Sequence, residues 1–316
     1  MLPTAYLFPG QGSQELNMGR DVAEAMSSAM DLWILAEKHS GLALREIYWG
    51  AEGAAPAPEM SDTKALQPAL TVVNVSLWLA LRDRNPAAAA LAVGAAGHSL
   101  GEFSALAAAG VLGVEEVVTT VCERGKLMAG AAREGHGMAA VLKLPLAEVE
   151  RIVDTAAKRS GAFLRIANHN SPAQYVISGE APALEAAAAL VKEARGRAIA
   201  LAVSGAFHSP LISEPANAFV KVLDGLRWQP AKFPVCMNVS ARPESDPGVL
   251  KALLSAQMTS SVLWTDTVRN LYGLGARRFA EIGPKNVLAK LAPQNLEGRD
   301  DVIAQSAGTL EAVLAL

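Results

Sequence analysis

Cysteine is almost absent from this 316-residue chain, which carries only Cys122 and Cys236. Two cysteines in no metal or redox spacing exclude a disulfide scaffold and a cysteine-based zinc site, and they fit a reducing compartment. No metal is expected. Charge is also sparse, at 19% of residues, and nearly balanced at a formal −3. A general nucleic-acid-binding surface is therefore not expected, although a local basic patch could still meet an acidic partner. The opening Met1-Leu2-Pro3-Thr4 lacks a basic stretch ahead of an apolar one, so no targeting segment is expected. Long apolar runs are missing as well. The runs 65–81 and 85–101 fall short of a comfortable span; the first holds Gln67, Pro68 and Asn74, and the second is mostly Ala and Gly. No membrane association is expected. Hydrophobic residues make up 51%, enough for a sizeable core and too many for intrinsic disorder.

The chain opens as strand, glycine loop and helix. Residues 5–8 form a short apolar run, Pro9-Gly10-Gln11-Gly12-Ser13-Gln14 a loop, and 21–39 a helix closed by Gly41. Residues 50–60 read as a surface loop, and 67–81 as a buried helix with Pro68 in its first turn. A weak strand over 91–96 leads into Gly97-His98-Ser99-Leu100-Gly101, followed by a helix over 102–109 and another over 115–129. Residues 134–203 have their own rhythm. Strands are expected at 137–144, 162–167, 175–178 and 197–203, with helices at 146–159 and 181–194. That β-α-β-β-α-β order predicts an inserted ferredoxin-like subdomain. Beyond it, helices and short strands alternate over 211–226, 233–239, 249–258, 262–274, 278–282 and 287–291, which argues for a parallel sheet covered on both faces. The expected division is a core of 1–133 and 204–316 with a small subdomain of 134–203.

The strongest chemical signal is Gly97-His98-Ser99-Leu100-Gly101, a G-x-S-x-G pattern between a strand and a helix. Glycines two residues either side of Ser99 allow a sharp turn. Ser99 would stand at a strand's carboxyl end and a helix's N-terminus, with the Leu100 N–H free to stabilise an oxyanion. A tight structural turn is the other reading. A serine nucleophile needs a base. Among His39, His98, His136, His169 and His208, position favours His208, in the loop Gly205-Ala206-Phe207-His208-Ser209 after a strand; a structural role stays open. His98 adjoins Ser99, so its ring should point elsewhere and serve in support. The only Asp between Ser99 and His208 is Asp154, in a helical charge pattern. A Ser-His pair whose histidine is oriented by a neutral group fits better than an acid-containing triad.

Arg124 is the second anomaly. At about 100° per residue it falls about 20° from Val117 and inside an apolar sector, opposite Glu115, Glu116, Glu123 and Lys126. A charge there is costly unless paired. Snorkelling or an internal salt bridge would satisfy it; alternatively, its guanidinium points into a pocket to grip a substrate carboxylate bidentately. The Gly10-Gln11-Gly12-Ser13-Gln14 loop lacks a Walker lysine and a dinucleotide spacing. It remains plausible as a turn that brings backbone N–H groups near a strand end.

Taken together these residues resemble the malonyl-CoA:acyl carrier protein transacylases, over nearly the whole chain. The likeness rests on Phe8-Pro9-Gly10-Gln11-Gly12-Ser13-Gln14, Gln67-Pro68-Ala69-Leu70, the Ser99 motif through Glu102-Phe103, Arg124-Gly125-Lys126, Asn170-Ser171-Pro172, Gly205-Ala206-Phe207-His208-Ser209, Gln257 near Val262 and Trp264, and Glu281-Ile282-Gly283-Pro284. It implies an α/β fold, with an α/β-hydrolase-like core of mostly parallel sheet and the ferredoxin-like subdomain, the site lying between them. It implies that Ser99 forms a malonyl ester, His208 acts as base and acid, and the Gln257 carbonyl orients His208. The N–H groups of Gln11 and Leu100 would form the oxyanion hole, and Arg124 would pair with the malonyl carboxylate. His98, Asn170 and Phe207 would support the site, Phe207 resembling the malonyl-selective form. Malonyl-CoA and CoA, and the phosphopantetheine of acyl carrier protein, would be the partners of a cytoplasmic monomer in fatty acid biosynthesis, with no bound cofactor. An acidic carrier protein predicts a basic patch, for which Lys192, Arg195 and Arg197 are candidates.

The chain departs from the family pattern at His169, at Pro284-Lys285-Asn286 and in a longer loop over 50–63, which touches cleft detail and not Ser99, His208 or Arg124. Other readings are the acyltransferase subunit of a malonate decarboxylase, a serine esterase or thioesterase, and a noncatalytic module of a synthase complex.

Overall fold

The computed structural model describes residues 2–50, 57–203 and 205–316. Most of the surface loop expected at 50–60, and the expected boundary residue 204, lie outside the described residues. In chain order the strands are β1 (Thr4–Phe8), β2 (Ala92–Gly97), β3 (His136–Leu142), β4 (Leu164–Ser171), β5 (Gln174–Glu180), β6 (Arg197–Ala200), β7 (Val235–Cys236), β8 (Pro243–Glu244), β9 (Arg278–Ile282) and β10 (Ile303–Ala307). They form two sheets.

The larger sheet runs β10-β9-β1-β2-β7-β8 and is parallel except where β8 turns back along β7. Its central strand β1 is buried at every position, the mark of a parallel strand covered on both faces. One face packs on a large cluster that includes Tyr6, Phe8, Trp78 and Phe103; the other carries Leu7, Trp264, Val268 and Phe279. β2 reads Ala-Val-Gly-Ala-Ala-Gly. Such residues have poor strand propensity, and pairing with β1 and β7 on either side holds them extended. Their small side chains also let the helix Gly101–Ala108 pack close.

The smaller sheet runs β4-β5-β3-β6 with antiparallel neighbours. That is the ferredoxin-like order, with the helices Leu146–Ser160 and Ala181–Glu193 packed on a core of their own. β4 also reaches the large layer: Ala167 and His169 exchange backbone hydrogen bonds with Val262.

Several expected elements differ. The helix expected over 21–39 is broken at Met26, whose extended backbone separates Arg20–Ala25 from Ser27–Ser40. The helix expected to start at 67 starts at Thr63, because the Asp62 side chain caps it by accepting from Lys64 N–H. Pro68 therefore lies beyond the first turn. This helix, Thr63–Arg84, is among the described residues the one long and apolar enough to cross a membrane, and it is mostly buried within the fold. The stretch between the strands expected at 162–167 and 175–178 is largely strand itself, since β4 continues to Ser171. The strand expected over 197–203 stops at Ala200, on an exposed edge. The strand expected at 233–239 shrinks to β7, two residues long. β8, β10 and the helix Leu310–Leu314 carried no clear sequence signal.

Candidate active site

Ser99 follows the carboxyl end of β2, where parallel sheets characteristically gather ligands. Its φ of 49° is in the left-handed region, uncommon for a residue with a Cβ. The flanking glycines are required by close approach. A Cβ on Gly97 would lie 1.9 Å from the Gly101 carbonyl carbon, and one on Gly101 would lie 1.9 Å from the Phe8 carbonyl oxygen. Asn238, just after β7, pins the turn. Its Oδ1 accepts from Ser99 N–H at 2.7 Å, and its Nδ2 donates to the Gly97 carbonyl at 2.7 Å.

His208 is also left-handed, at φ 57°, and is buried. Its Nε2 lies 2.8 Å from Ser99 Oγ. Its Nδ1 lies 3.1 Å from the carbonyl oxygens of both Gln257 and Ser260. Carbonyls only accept, so Nδ1 carries the proton and Nε2 is left to accept from Ser99. Among the described residues no carboxylate meets the ring. Burial, reinforced by the nearby charge of Arg124, lowers the imidazole's pKa from 6.5 to about 3. The ring is neutral at physiological pH.

Arg124 sits on the helix Val114–Gly130 and is 1% exposed, on the buried face where the helical wheel put it. Isolating such a charge from water costs several kcal/mol, on the order expected for a buried ion. Two glutamine amides meet it: Nη1 donates to Gln67 Oε1 at 2.8 Å and Nη2 to Gln257 Oε1 at 2.9 Å. Nη2 also reaches Ser99 Oγ at 3.5 Å, and Nε meets no acceptor among the described residues. No ion pair to Arg124 occurs among the described residues. Burial pushes its pKa down to about 10, against the attraction of Glu102.

Glu102 is fully buried one turn after Ser99. It accepts from Asn238 N–H on one oxygen and from Gln257 Nε2, at 2.6 Å, on the other. Burial raises its pKa to about 8, opposed by these donors and by Arg124.

A cavity of about 250 Å³ opens over Ser99. Gln11, His98, Leu100, Arg124, Asn170, Phe207 and His208 all line it. Among the described residues no acceptor meets the backbone N–H of Gln11 or Leu100. His98 turns away from Ser99: its Nε2 lies 2.8 Å from Asn170 Oδ1, and its ring packs 5.4 Å from Trp264. That contact ties the large sheet's turn to β4. Lys192, Arg195 and Arg197 are exposed around β6 and do not line the cavity. His169 packs on Tyr175 and lies outside the cavity lining.

Gln67, Glu102 and Asn238 join the site without an expected role. The first carried a signal, as a glutamine inside an apolar run, and the second as an acid in a segment otherwise apolar. Asn238 carried none, since its partners come from positions nearly 140 residues away in the chain.

The acyl transferase domain model matches residues 5–312. Malonyl CoA-acyl carrier protein transacylase of Bacillus subtilis is 36% identical over 293 residues, covering 92% of this chain and 90% of the relative. The crystal structure of an acyl carrier protein S-malonyltransferase from Vibrio cholerae superposes with a TM-score of 0.89 at 31% identity, covering 99% of both chains. A malonyl-transacylase solved in complex with its type II polyketide acyl carrier protein superposes at 0.88 with 32% identity, covering 99% of this chain and 98% of that one.

Proposed function

The chain belongs to the acyl transferase domain family as one of its malonyl-CoA:acyl carrier protein transacylases, and from that premise we propose that Ser99 carries the malonyl group between its two thiols. The reaction is malonyl transfer from malonyl-CoA to acyl carrier protein for fatty acid synthesis, with those two molecules as its substrates. The roles of individual residues are our reading of the geometry.

In the first half-reaction His208 Nε2 takes the Ser99 Oγ proton as the oxygen attacks the thioester carbonyl. The tetrahedral oxyanion faces the N–H groups of Gln11 and Leu100. The C–S bond breaks, and His208 returns the proton to the departing CoA thiolate. In the second half-reaction the phosphopantetheine thiol attacks the Ser99 ester. His208 takes the thiol proton and gives it to Ser99 Oγ as the ester bond breaks. The carbonyls of Gln257 and Ser260 orient the imidazole and stabilise its protonated form. They replace the acid of an ordinary hydrolase triad, which disfavours the esterase reading.

The observation that carries this reading is Arg124. A buried guanidinium beside the nucleophile, held by two neutral amides, has charge to offer a substrate carboxylate. Pairing there would fix the malonyl group with its thioester over Ser99 and stabilise it by charge-assisted hydrogen bonds. Phe207 and the apolar walls limit water, which would otherwise hydrolyse the ester. His98 and Asn170 support the site by joining the two sheets across the cleft. We further propose that residues 134–203 form a small subdomain set into a core of 1–133 and 204–316, and that the enzyme works as a cytoplasmic monomer without a bound metal or cofactor.

The test is transfer of malonyl from malonyl-CoA to holo acyl carrier protein by the wild type, Ser99→Ala and His208→Ala. The reading requires both variants to lose transfer by about a thousandfold or more. Transfer surviving in Ser99→Ala would remove the acyl-serine route.

A further inference from the structure

Gln257 has two separate tasks in this site. Its backbone carbonyl accepts from His208 Nδ1. Its side-chain amide lies between three groups: Nε2 donates to the Ser99 carbonyl at 2.8 Å and to Glu102 at 2.6 Å, and Oε1 accepts from Arg124 at 2.9 Å. An amide has two faces of opposite polarity, so its orientation matters. As found, both acceptors meet its NH2 group and the donor meets its oxygen. The reverse orientation would set NH2 against a guanidinium and oxygen against a carbonyl.

We propose that Glu102 is a positioning residue for the malonyl clamp: its carboxyl group fixes the Gln257 amide so that Oε1 faces Arg124 and holds the guanidinium over Ser99. Three observations carry this. Glu102 is fully buried and, among the described residues, meets no cation directly, so its place in the site is not that of an ordinary ion pair. Its other oxygen is anchored by Asn238 N–H, and Asn238 also pins the Ser99 turn. The carboxyl group therefore has one edge fixed to the nucleophile's support and the other free to select the amide orientation. Finally, Gln257 Oε1 is one of only two strong acceptors for the Arg124 guanidinium among the described residues. A rotated amide would release Nη2, the arm nearest Ser99.

The inference rests on Arg124 being the clamp, so Arg124→Ala is measured alongside. The informative variant is Glu102→Gln. It keeps the size, yet with its carbonyl oxygen still accepting from Asn238 N–H it turns an NH2 group toward the NH2 of Gln257. To relieve that contact Gln257 must rotate and turn its NH2 group on Arg124. Malonyl transfer, as kcat/KM, should fall by about tenfold to a hundredfold, roughly 1.4–2.7 kcal/mol. Acetyl transfer, which uses no carboxylate clamp, should fall by less than about threefold. Gln257→Ala leaves the backbone carbonyl to His208 and removes the amide; because that amide also holds the Ser99 carbonyl, acetyl transfer should fall as well, with malonyl transfer falling further. Combining the two should cost little more than either alone. Purely structural damage would lower acetyl and malonyl transfer together.

Equal losses with both substrates in Glu102→Gln, or losses that add in the double variant, would overturn the proposal. If Glu102→Gln does not fold, Glu102→Asp decides: drawing the carboxyl group back from the Gln257 amide should give a selective malonyl loss, and unchanged selectivity overturns the proposal. If Arg124→Ala itself loses both activities equally, the clamp reading fails. If Arg124→Ala is selective and Glu102→Gln is not, only the role of Glu102 fails.

Discussion

Arg124 Nη2 stands 3.5 Å from Ser99 Oγ, yet the guanidinium is met by two glutamine oxygens and by no carboxylate among the described residues. On our reading, a buried guanidinium beside Ser99 that feels Glu102 only at a distance, through the Gln257 amide, is an arrangement a negatively charged acyl group completes.

Removing that charge should therefore act on substrate choice. Arg124→Ala should lower malonyl kcat/KM by roughly 2–5 kcal/mol, as for truncating one partner of a buried charged pair. Acetyl transfer should fall far less. Arg124→Lys should not restore malonyl transfer, because a point charge cannot meet both glutamines and a carboxylate in one plane. Steady-state kinetics with both acyl-CoA substrates checks this, and equal losses would remove the carboxylate role.

The pH dependence follows from His208. Its native pKa, about 3, lies below the usual 6.5 because burial and Arg124 disfavour the charged ring. Lowering the pH from 8 to about 5 should leave the base free, so rapid-quench acylation of Ser99 should show no histidine titration near 6.5. Stability behaves differently. Below 6.5 the unfolded chain binds a proton that the native histidine refuses until about pH 3, so the histidine's contribution is present above 6.5 and lost as pH falls through that window. Arg124→Ala removes one depressing charge and should move the native pKa upward. Acylation falling in wild type with a midpoint near 6.5 would contradict this account.

The Ser99 turn should be intolerant of small changes. Gly97→Ala and Gly101→Ala each force a methyl group to within 1.9 Å of backbone atoms. That is incompatible with the turn at any rotamer, and a loss of about 3 kcal/mol or more is expected, read as a collapse of Tm or of soluble yield. A native Tm in either variant would mean that the turn can open without cost.

Asn238→Ala strands the Ser99 N–H and the Gly97 carbonyl in a buried site. About 1–3 kcal/mol per unsatisfied group is expected in urea denaturation. Acylation should slow as well, since the left-handed Ser99 loses the contact that holds it. Full activity at reduced stability would limit Asn238 to a structural role.

Much of this site was legible in the sequence because its parts are local. Gly97, Ser99 and Gly101 share one turn, and the periodicity of a single helix put Arg124 on a buried face. The βαββαβ order of the smaller sheet was legible for the same reason, as alternating apolar patterns within 70 residues. What was not legible depends on distant partners. The strand at 233–239 was expected, but its contraction to two residues was not, and β8 is a strand only because β7, itself held by β2, offers it an edge. β4 runs on through Asn168 and Asn170 because Val262 pairs with it, against the turn propensity of those asparagines. The start of the helix Thr63–Arg84 was misread because Pro68 suggests a first turn more strongly than Asp62 suggests a cap. Asn238 and the side-chain task of Gln257 needed the folded chain, since no spacing in the sequence brings them to Ser99; the Gln257 carbonyl's contact with His208 was expected from the family resemblance alone.

The central claim is that Ser99 takes up malonyl and that Arg124 makes it prefer malonyl. Its most direct test is to mix the protein with malonyl-CoA and, separately, acetyl-CoA, quench, and weigh the intact chain. A malonyl adduct mapped to Ser99, absent in Ser99→Ala, and a much weaker acetyl adduct are expected. An equal acetyl adduct, or no adduct with rapid release of free CoA, would contradict the claim.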